Sequence, residues 1–264
     1  MESGVKTLEA FDWAAHRAAV WRPWSGLWRP VTRIDPVRPA DLYGLDAQRD
    51  ALFDNTRRLL EGRGAEHALL WGARGTGKSS LVKAVFNALA DTPLRLVQID
   101  DEALDMLPEV FDALAEAPHA FIVFCDDIGF GGEERAARAL KRALEGGIEC
   151  APDNVRLYAT SNRRHLVPEP MADNRAAPRT VDDEIHPGDA VEDRLALADR
   201  FGLRLGFYPF SQRQYLALID HLAPAPDEAA RDALHRQALD FARLAGAHSG
   251  RVARRFLRRR GAAW

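Results

Sequence analysis

Residues Gly72-Ala73-Arg74-Gly75-Thr76-Gly77-Lys78-Ser79 follow the pattern G-x-x-x-x-G-K-[ST]. Glycines let a short loop fold so tightly that successive backbone N–H groups point at one anion. A helix beginning at the end of such a loop adds partial positive charge. Lys78 then reaches the outer phosphates of a nucleotide, and the Ser79 hydroxyl can bind Mg2+. A second acidic site follows. Phe121-Ile122-Val123-Phe124-Cys125 is an apolar run ending in Asp126 and Asp127, and Asp126 lies 48 residues past Lys78. Asp126 is placed to hold the Mg2+ sphere, and Asp127 to orient or deprotonate an attacking water. Cys125 reads as a buried strand residue. A third polar group, Asn162, closes Tyr158-Ala159-Thr160-Ser161-Asn162. A polar residue at the C-terminal end of a strand faces the crevice where open α/β sheets bind ligands.

These residues need a parallel sheet to bring them together, and the alternation of elements supplies one. Strands are expected at 67–71, 94–99, 119–125, 155–160 and 203–208. Helices are expected at 77–90, 103–117, 133–145 and 189–201, with Leu104, Leu107, Val110, Phe111 and Leu114 forming one stripe. Strand–helix alternation implies an α/β fold whose parallel sheet is covered on both faces. After Pro209 the pattern is helical throughout, at 211–222, 227–244 and 249–259, which reads as a small lid domain. The expected layout is an N-terminal Trp/Pro-rich segment over 1–41, an α/β nucleotide-binding domain over 42–210 and a helical lid over 211–264. Residues 1–41 hold Trp13, Trp21, Trp24 and Trp28; they are expected to pack back onto the domain, the alternative being a partner-binding arm. The proline-containing stretch 163–188 reads as a long irregular loop, shaped by Arg163, Arg164 and His165.

Taken together the motifs resemble the AAA+ ATPases, from about Leu42 to the C-terminus. The resemblance implies a P-loop NTPase three-layer fold with ATP and Mg2+ as ligands. It makes Asn162 a sensor of the terminal phosphate beside Asp127. Asp199-Arg200-Phe201-Gly202 matches the arginine finger that acts on a neighbouring subunit, with Arg194 in reserve. Ser249-Gly250-Arg251 matches the second sensor arginine that opens a lid helix. Asp41-Leu42-Tyr43-Gly44-Leu45 is similar to the segment that holds adenine. The intervals run in the expected order: 36 residues from Asp126 to Asn162, 38 on to Arg200 and 51 on to Arg251. The nucleotide ligands so implied are Leu42, Tyr43, Gly72, Arg74, Gly75, Thr76, Gly77, Lys78, Ser79, Ser80 and Arg251, with Ser79 and Asp126 on the metal. More narrowly, Leu70–Lys83, Phe124–Asp127, Leu144–Gly147, Tyr158–Leu166 and His186–Ala190 are similar to an uncharacterised bacterial family of AAA+ ATP-binding proteins.

The chain departs from the commoner Asp-Glu pair by carrying Asp126-Asp127, so the second carboxylate sits about 1.5 Å further back. It also has Asp100-Asp101-Glu102 where threading unfoldases place an aromatic pore loop, and only one helix between 100 and 120 where replication initiators have two. The resemblance therefore implies an ATPase that assembles as a homo-oligomer and remodels or loads a protein or nucleic-acid client. A slow-hydrolysing nucleotide switch and a helicase-loader-like ATPase are the alternatives. A small-molecule kinase shares the phosphate loop but has no use for Asn162, Arg200 or a sensor lid.

Composition bounds the partners. The 264 residues carry 36 Lys and Arg against 39 Asp and Glu, a net charge of −3. That balance excludes a general polyanion-binding surface and leaves only local patches. One such patch is the last helix, with Arg251, Arg254, Arg255, Arg258, Arg259 and Arg260; it reads as a solvated basic face plus one phosphate-sensing arginine. Two cysteines, Cys125 and Cys150, cannot form a disulfide framework and suit a reducing compartment. No apolar run approaches a membrane span. Met1–Lys6 lacks the basic start and apolar core of a secretory leader, so the expected location is the cytoplasm, without membrane association.

Overall fold

The computed structural model describes residues 11–128, 140–144, 151–162 and 197–261. Its frame is a seven-stranded sheet. In chain order the strands are β1 (Ala18–Arg22), β2 (Leu27–Pro30), β3 (Ala68–Gly72), β4 (Leu94–Ile99), β5 (Ala120–Cys125), β6 (Val155–Ser161) and β7 (Leu203–Phe207). In space they run β2-β1-β4-β5-β6-β3-β7. Every pairing is parallel except β1 with β2 at the edge. The fold class expected from the sequence, an α/β P-loop architecture with a helical lid, is the one observed.

Period-two alternation explains the three layers. Leu69 and Trp71 of β3 and Phe121, Val123 and Cys125 of β5 face one hydrophobic cluster, while Ala68, Leu70, Ile122 and Phe124 face the other. The first cluster is covered by α3 (Leu107–Ala115), through Leu107, Val110, Phe111 and Leu114. The second is covered by α1 (Asp46–Leu60) and α2 (Lys78–Ala88), through Leu52, Leu59, Leu81, Val82, Val85 and Phe86. A strand buried on both faces must be apolar at every position, and β3 and β5 are.

Three elements differ from the sequence expectation. The alternation starts before His67: β1 joins β4 with Ala18 opposite Leu96, and β2 folds back on β1. Trp13 and Trp21 are thereby buried and Trp28 packs against them, while Trp24 stays 90% exposed. The helix α1 has no counterpart in the sequence reading. The helix expected at 103–117 begins instead as a 3-10 turn over Asp101–Met106. The α-helix proper starts at Leu107, where Pro108 sits in the first turn and needs no intrahelical N–H partner. Of the stretches 133–145 and 189–201 expected as helices, only 140–144 and 197–201 are described. Cys150, Arg163, Arg164, His165, Arg194 and the stretch 163–188 lie outside the described residues.

The lid comprises α4 (Gln212–Leu222), α5 (Glu228–Ala245) and α6 (Gly250–Arg259). Ser211, Asp227 and Ser249 cap the three N-termini, each accepting from a backbone N–H three residues on. Its core is its own, built from Tyr215, Ile219, Leu234, Ala238, Ala253, Phe256 and Leu257. No helix among the described residues is long and apolar enough to cross a membrane.

Candidate nucleotide site

The strands β3, β5 and β6 are neighbours, so the residues at their C-terminal ends meet. Gly72 ends β3 with φ +124°, and a Cβ there would stand 2.0 Å from the Phe207 carbonyl oxygen of β7. Only glycine allows the loop to leave the strand this close to its neighbour. Inside the loop the Thr76 hydroxyl donates to the Ala73 carbonyl over 2.8 Å, and α2 opens at Lys78.

Lys78 is 5% exposed. Its ammonium donates to the carbonyls of Gly72 and Ala73 over 2.9 and 2.8 Å and to Oδ1 of Asn162 over 3.0 Å. Burial pushes its pKa down to about 8; Asp127 and Asp126 pull it up, and Arg251 and Arg74 push it further down. A desolvated cation of this kind gains from an incoming phosphate anion.

Register places the acidic pair. Phe124 pairs with Tyr158 and Cys125 with Ala159, so Asp126 falls opposite Thr160. Oδ1 of Asp126 accepts from Ser79 Oγ over 2.5 Å and from Thr160 Oγ1 over 2.6 Å. Thr160 Oγ1 also accepts the N–H of Asp127 over 2.8 Å. That bond, with Ile128 N–H on the Thr160 carbonyl, holds Asp127 at φ +61°, a left-handed conformation that Asp tolerates better than most residues. Its carboxylate accepts from Asn162 Nδ2 and stands 3.5 Å from Arg74. Asn162 thus bridges Lys78 and Asp127. Cys125, directly before the pair, is fully buried, and burial raises its pKa far above the ordinary thiol value.

The lid closes the other side. The Arg251 N–H donates to the Gly75 carbonyl over 3.2 Å. Gly75 has φ +74°, and a Cβ on it would come within 2.9 Å of Ser249 Oγ and 3.2 Å of Arg251 Cβ. Arg254 donates to the Asp41 carbonyl over 3.1 Å, His221 Nε2 lies 2.9 Å from the Ala40 carbonyl, and the Tyr43 and His221 rings are 5.3 Å apart.

Between loop and lid lies a cavity of about 490 Å³, the size of a small-ligand pocket. It brings together Leu42, Tyr43, Arg74, Gly75, Thr76, Gly77, Lys78, Ser79, Ser80, Asp126, Asp127, Asn162 and Arg251. Gly72 does not line it and serves through its carbonyl on Lys78. Arg200 is not on it either. Leu203, three residues later, pairs with Ala68 at the opposite end of β3. Sequence reasoning gave no role to Thr160, whose signal was its register opposite Asp126. It also missed the cavity wall formed by Arg254, Arg255 and Arg258, which recur at three, four and seven residues from Arg251.

Two groups fit this arrangement. A nucleoside triphosphate fits the cavity, the desolvated Lys78 and a loop whose glycines leave no Cβ in the way. A hard divalent cation fits the all-oxygen pair of the Asp126 carboxylate and the Ser79 hydroxyl.

A sequence profile described as "Protein of unknown function (DUF815)" matches residues 14–263. Among solved structures the chain is similar to the Thermotoga maritima RuvB Holliday junction branch migration motor, at 14% identity and TM-score 0.45. The match covers 85% of this chain and 73% of that one. Two single-substitution forms of the same Thermotoga protein match over the same shares at TM-scores of 0.48 and 0.47. No characterised protein matches in sequence.

Proposed function

This chain belongs to the DUF815 family, and from the geometry of its site we propose that it binds ATP with Mg2+ and hydrolyses it at sites shared between subunits. The energy released is used to remodel or load a protein or nucleic-acid client. The observation that carries the reading is the convergence of Lys78, Ser79, Asp126, Asp127 and Asn162 within direct hydrogen-bond reach at three adjacent strand ends. Each group has a task. The loop N–H groups and Lys78 bind the phosphates. Ser79 and Asp126 would hold Mg2+, which when bound neutralises phosphate charge. Asp127 holds or accepts the proton of the attacking water, and Asn162 fixes that carboxylate in place. Leu42 and Tyr43 border the base end of the cavity, and Arg251 joins lid to loop.

A second reading is a switch that binds ATP tightly and turns over slowly. The observation favouring it is that the Asp127 carboxylate is already engaged by Asn162 and Arg74. Mg2+-dependent phosphate release measured across a range of protein concentrations separates the two. A specific rate that climbs with concentration supports the shared-site ATPase, and near-zero release with tight binding supports the switch. The Lys78→Ala protein, which loses the loop's buried ammonium, should fail to bind a fluorescent ATP analogue. Undiminished binding by that folded variant would reject the site.

A further inference from the structure

The outer wall of the cavity is far more cationic than a nucleoside triphosphate requires. Two of its charges are spoken for from outside: Lys83 pairs with Asp35 over 3.1 Å, and Asp41 with Arg38 over 3.2 Å. What remains on the lining is Arg74, Lys78, Arg251, Arg254, Arg255 and Arg258, against Asp126 and Asp127, a surplus of four positive charges. A magnesium–nucleoside triphosphate brings a net charge of only about −2. The surplus is local, because the chain as a whole carries −3.

The excess sits at one place. Residues 251, 254, 255 and 258 share a face of α6. Arg251 opens the row at Gly75, and Arg254 is tied to the Asp41 carbonyl beside Leu42 and Tyr43. Arg255 and Arg258 lie beyond, exposed at the mouth. Among the described residues no hydrogen bond or ion pair holds either guanidinium. From Arg251 the helix rises about 6 Å to Arg255 and about 10 Å to Arg258, so the free pair stands away from the loop, past Arg254 and its contact with Asp41. The neighbouring Arg259 and Arg260 do not line the cavity. They lie over the rings of Phe241 and Phe256, and Arg260 donates to Gln237.

We propose that Arg255 and Arg258 form a second phosphate subsite, which takes a phosphate group carried on the ribose of the bound nucleotide. The ligand class is a purine nucleotide phosphorylated at both the 5′ end and the ribose 2′ or 3′ position. Arg255 and Arg258 line the same cavity of about 490 Å³ as Lys78 and Tyr43, which favours a small bisphosphorylated nucleotide over a nucleic-acid strand. The proposal rests on the nucleotide-binding reading above and adds a second ligand class, one that competes with ATP for the same cavity.

The test is competition against a fluorescent ATP analogue bound to the full chain, using AMP, adenosine 3′,5′-bisphosphate and adenosine 2′,5′-bisphosphate. One bisphosphate isomer should displace the analogue roughly ten- to a hundredfold more tightly than AMP, the range for hydrogen bonds to a charged group. In the Arg255→Gln/Arg258→Gln protein that ratio should collapse towards one, whereas in Arg259→Gln/Arg260→Gln it should persist. Equal competition by AMP and both bisphosphates in the wild type would overturn the subsite and leave ATP binding standing. Failure of the analogue itself to bind would instead reject the nucleotide reading. Stronger competition by a single-stranded oligonucleotide than by either bisphosphate would overturn the proposal in favour of a nucleic-acid contact.

Discussion

Loss of Arg200 should be repairable by another subunit, and the sheet explains why. Leu203 and Ala68 are paired first residues of β7 and β3, and Arg200 precedes that pair. The phosphate loop leaves the far end of β3, after Gly72. Four residues of strand separate the two ends, about 13 Å at 3.3 Å per residue, before any of the loop is counted. An arginine side chain spans about 7 Å from its Cα. Arg200 therefore cannot serve its own cavity, and its candidate role requires a neighbour. Arg200→Ala should bind ATP as the wild type does, since none of the cavity is altered. Its turnover should fall about 10³-fold, the lower end of the range for a finger arginine, since a carboxylate set back by one methylene at Asp127 should itself slow hydrolysis. Mixed one to one with Lys78→Ala, a site works only where an intact loop meets an intact arginine. In a head-to-tail assembly that is about a quarter of sites, so about a quarter of the wild-type rate should return. The assay is phosphate release on titrating one variant into the other. No rescue, with a wild-type specific rate constant on dilution, would refute the argument and leave Arg200 an ordinary helix-end cation.

Other outcomes follow from single contacts. Asp127→Asn keeps the shape but loses the basic carboxylate, so ATP should stay bound while phosphate release drops about 10²- to 10⁴-fold; wild-type turnover would mean another group polarises the water. Arg258→Glu puts a carboxylate on the cavity wall and should weaken binding of a fluorescent ATP analogue about tenfold, whereas Arg259→Glu/Arg260→Glu should not change it. A separate expectation concerns acid. His67 is buried and accepts the Leu157 N–H on Nδ1; burial, then the Arg156 guanidinium, lower its pKa to about 4. A lowered folded-state value favours the neutral ring, so the stabilisation is full above the ordinary histidine value of 6.5 and is lost as pH falls towards 4. Between pH 7.5 and 4 the wild type should lose about 3 kcal/mol more than His67→Asn, read by urea unfolding; equal losses would show that the ring does not titrate with folding.

What was legible in the sequence and what was not divides along physical lines. β3 and β5 announce themselves because a strand buried on both faces must be apolar throughout, and the residues ending them inherit a fixed position. α1 hides for the opposite reason. Its buried face carries Asn55 and Thr56, which would break any apolar stripe. They are tolerated because Asn55 Nδ2 and Thr56 Oγ1 meet the buried Tyr158 hydroxyl at 3.1 and 2.9 Å. No pattern of hydrophobicity encodes a partner about a hundred residues away. β1 is a strand only because β4 offers an unpaired edge, and Ala18-Ala19-Val20-Trp21 has no turn signal before it to mark it out. For the candidate site, spacing picked out the groups proposed for phosphate and metal, and the structure brings them together. It could not tell which arginines of the last helix face the cavity, because that depends on how the lid docks.

The docking itself ties the site together. Among the described residues, the buried side chains of the lid's hydrophobic core all come from 215–257, with Phe210 of the α/β unit packed against its edge. Among the described residues, much of its polar attachment runs through backbone groups that border the cavity: Arg251 on Gly75, Arg254 on Asp41 and His221 on Ala40. Net hydrogen bonds of this kind contribute only about 1 kcal/mol each, so the contacts that hold the lid at the loop and at Ala40 and Asp41 are weak ones. A nucleotide spanning Lys78, Tyr43 and the arginine row of α6 would add its own charge-assisted contacts to both parts. A nucleotide bound across both parts should therefore fix the orientation of the lid, and with it any surface the lid offers to another chain.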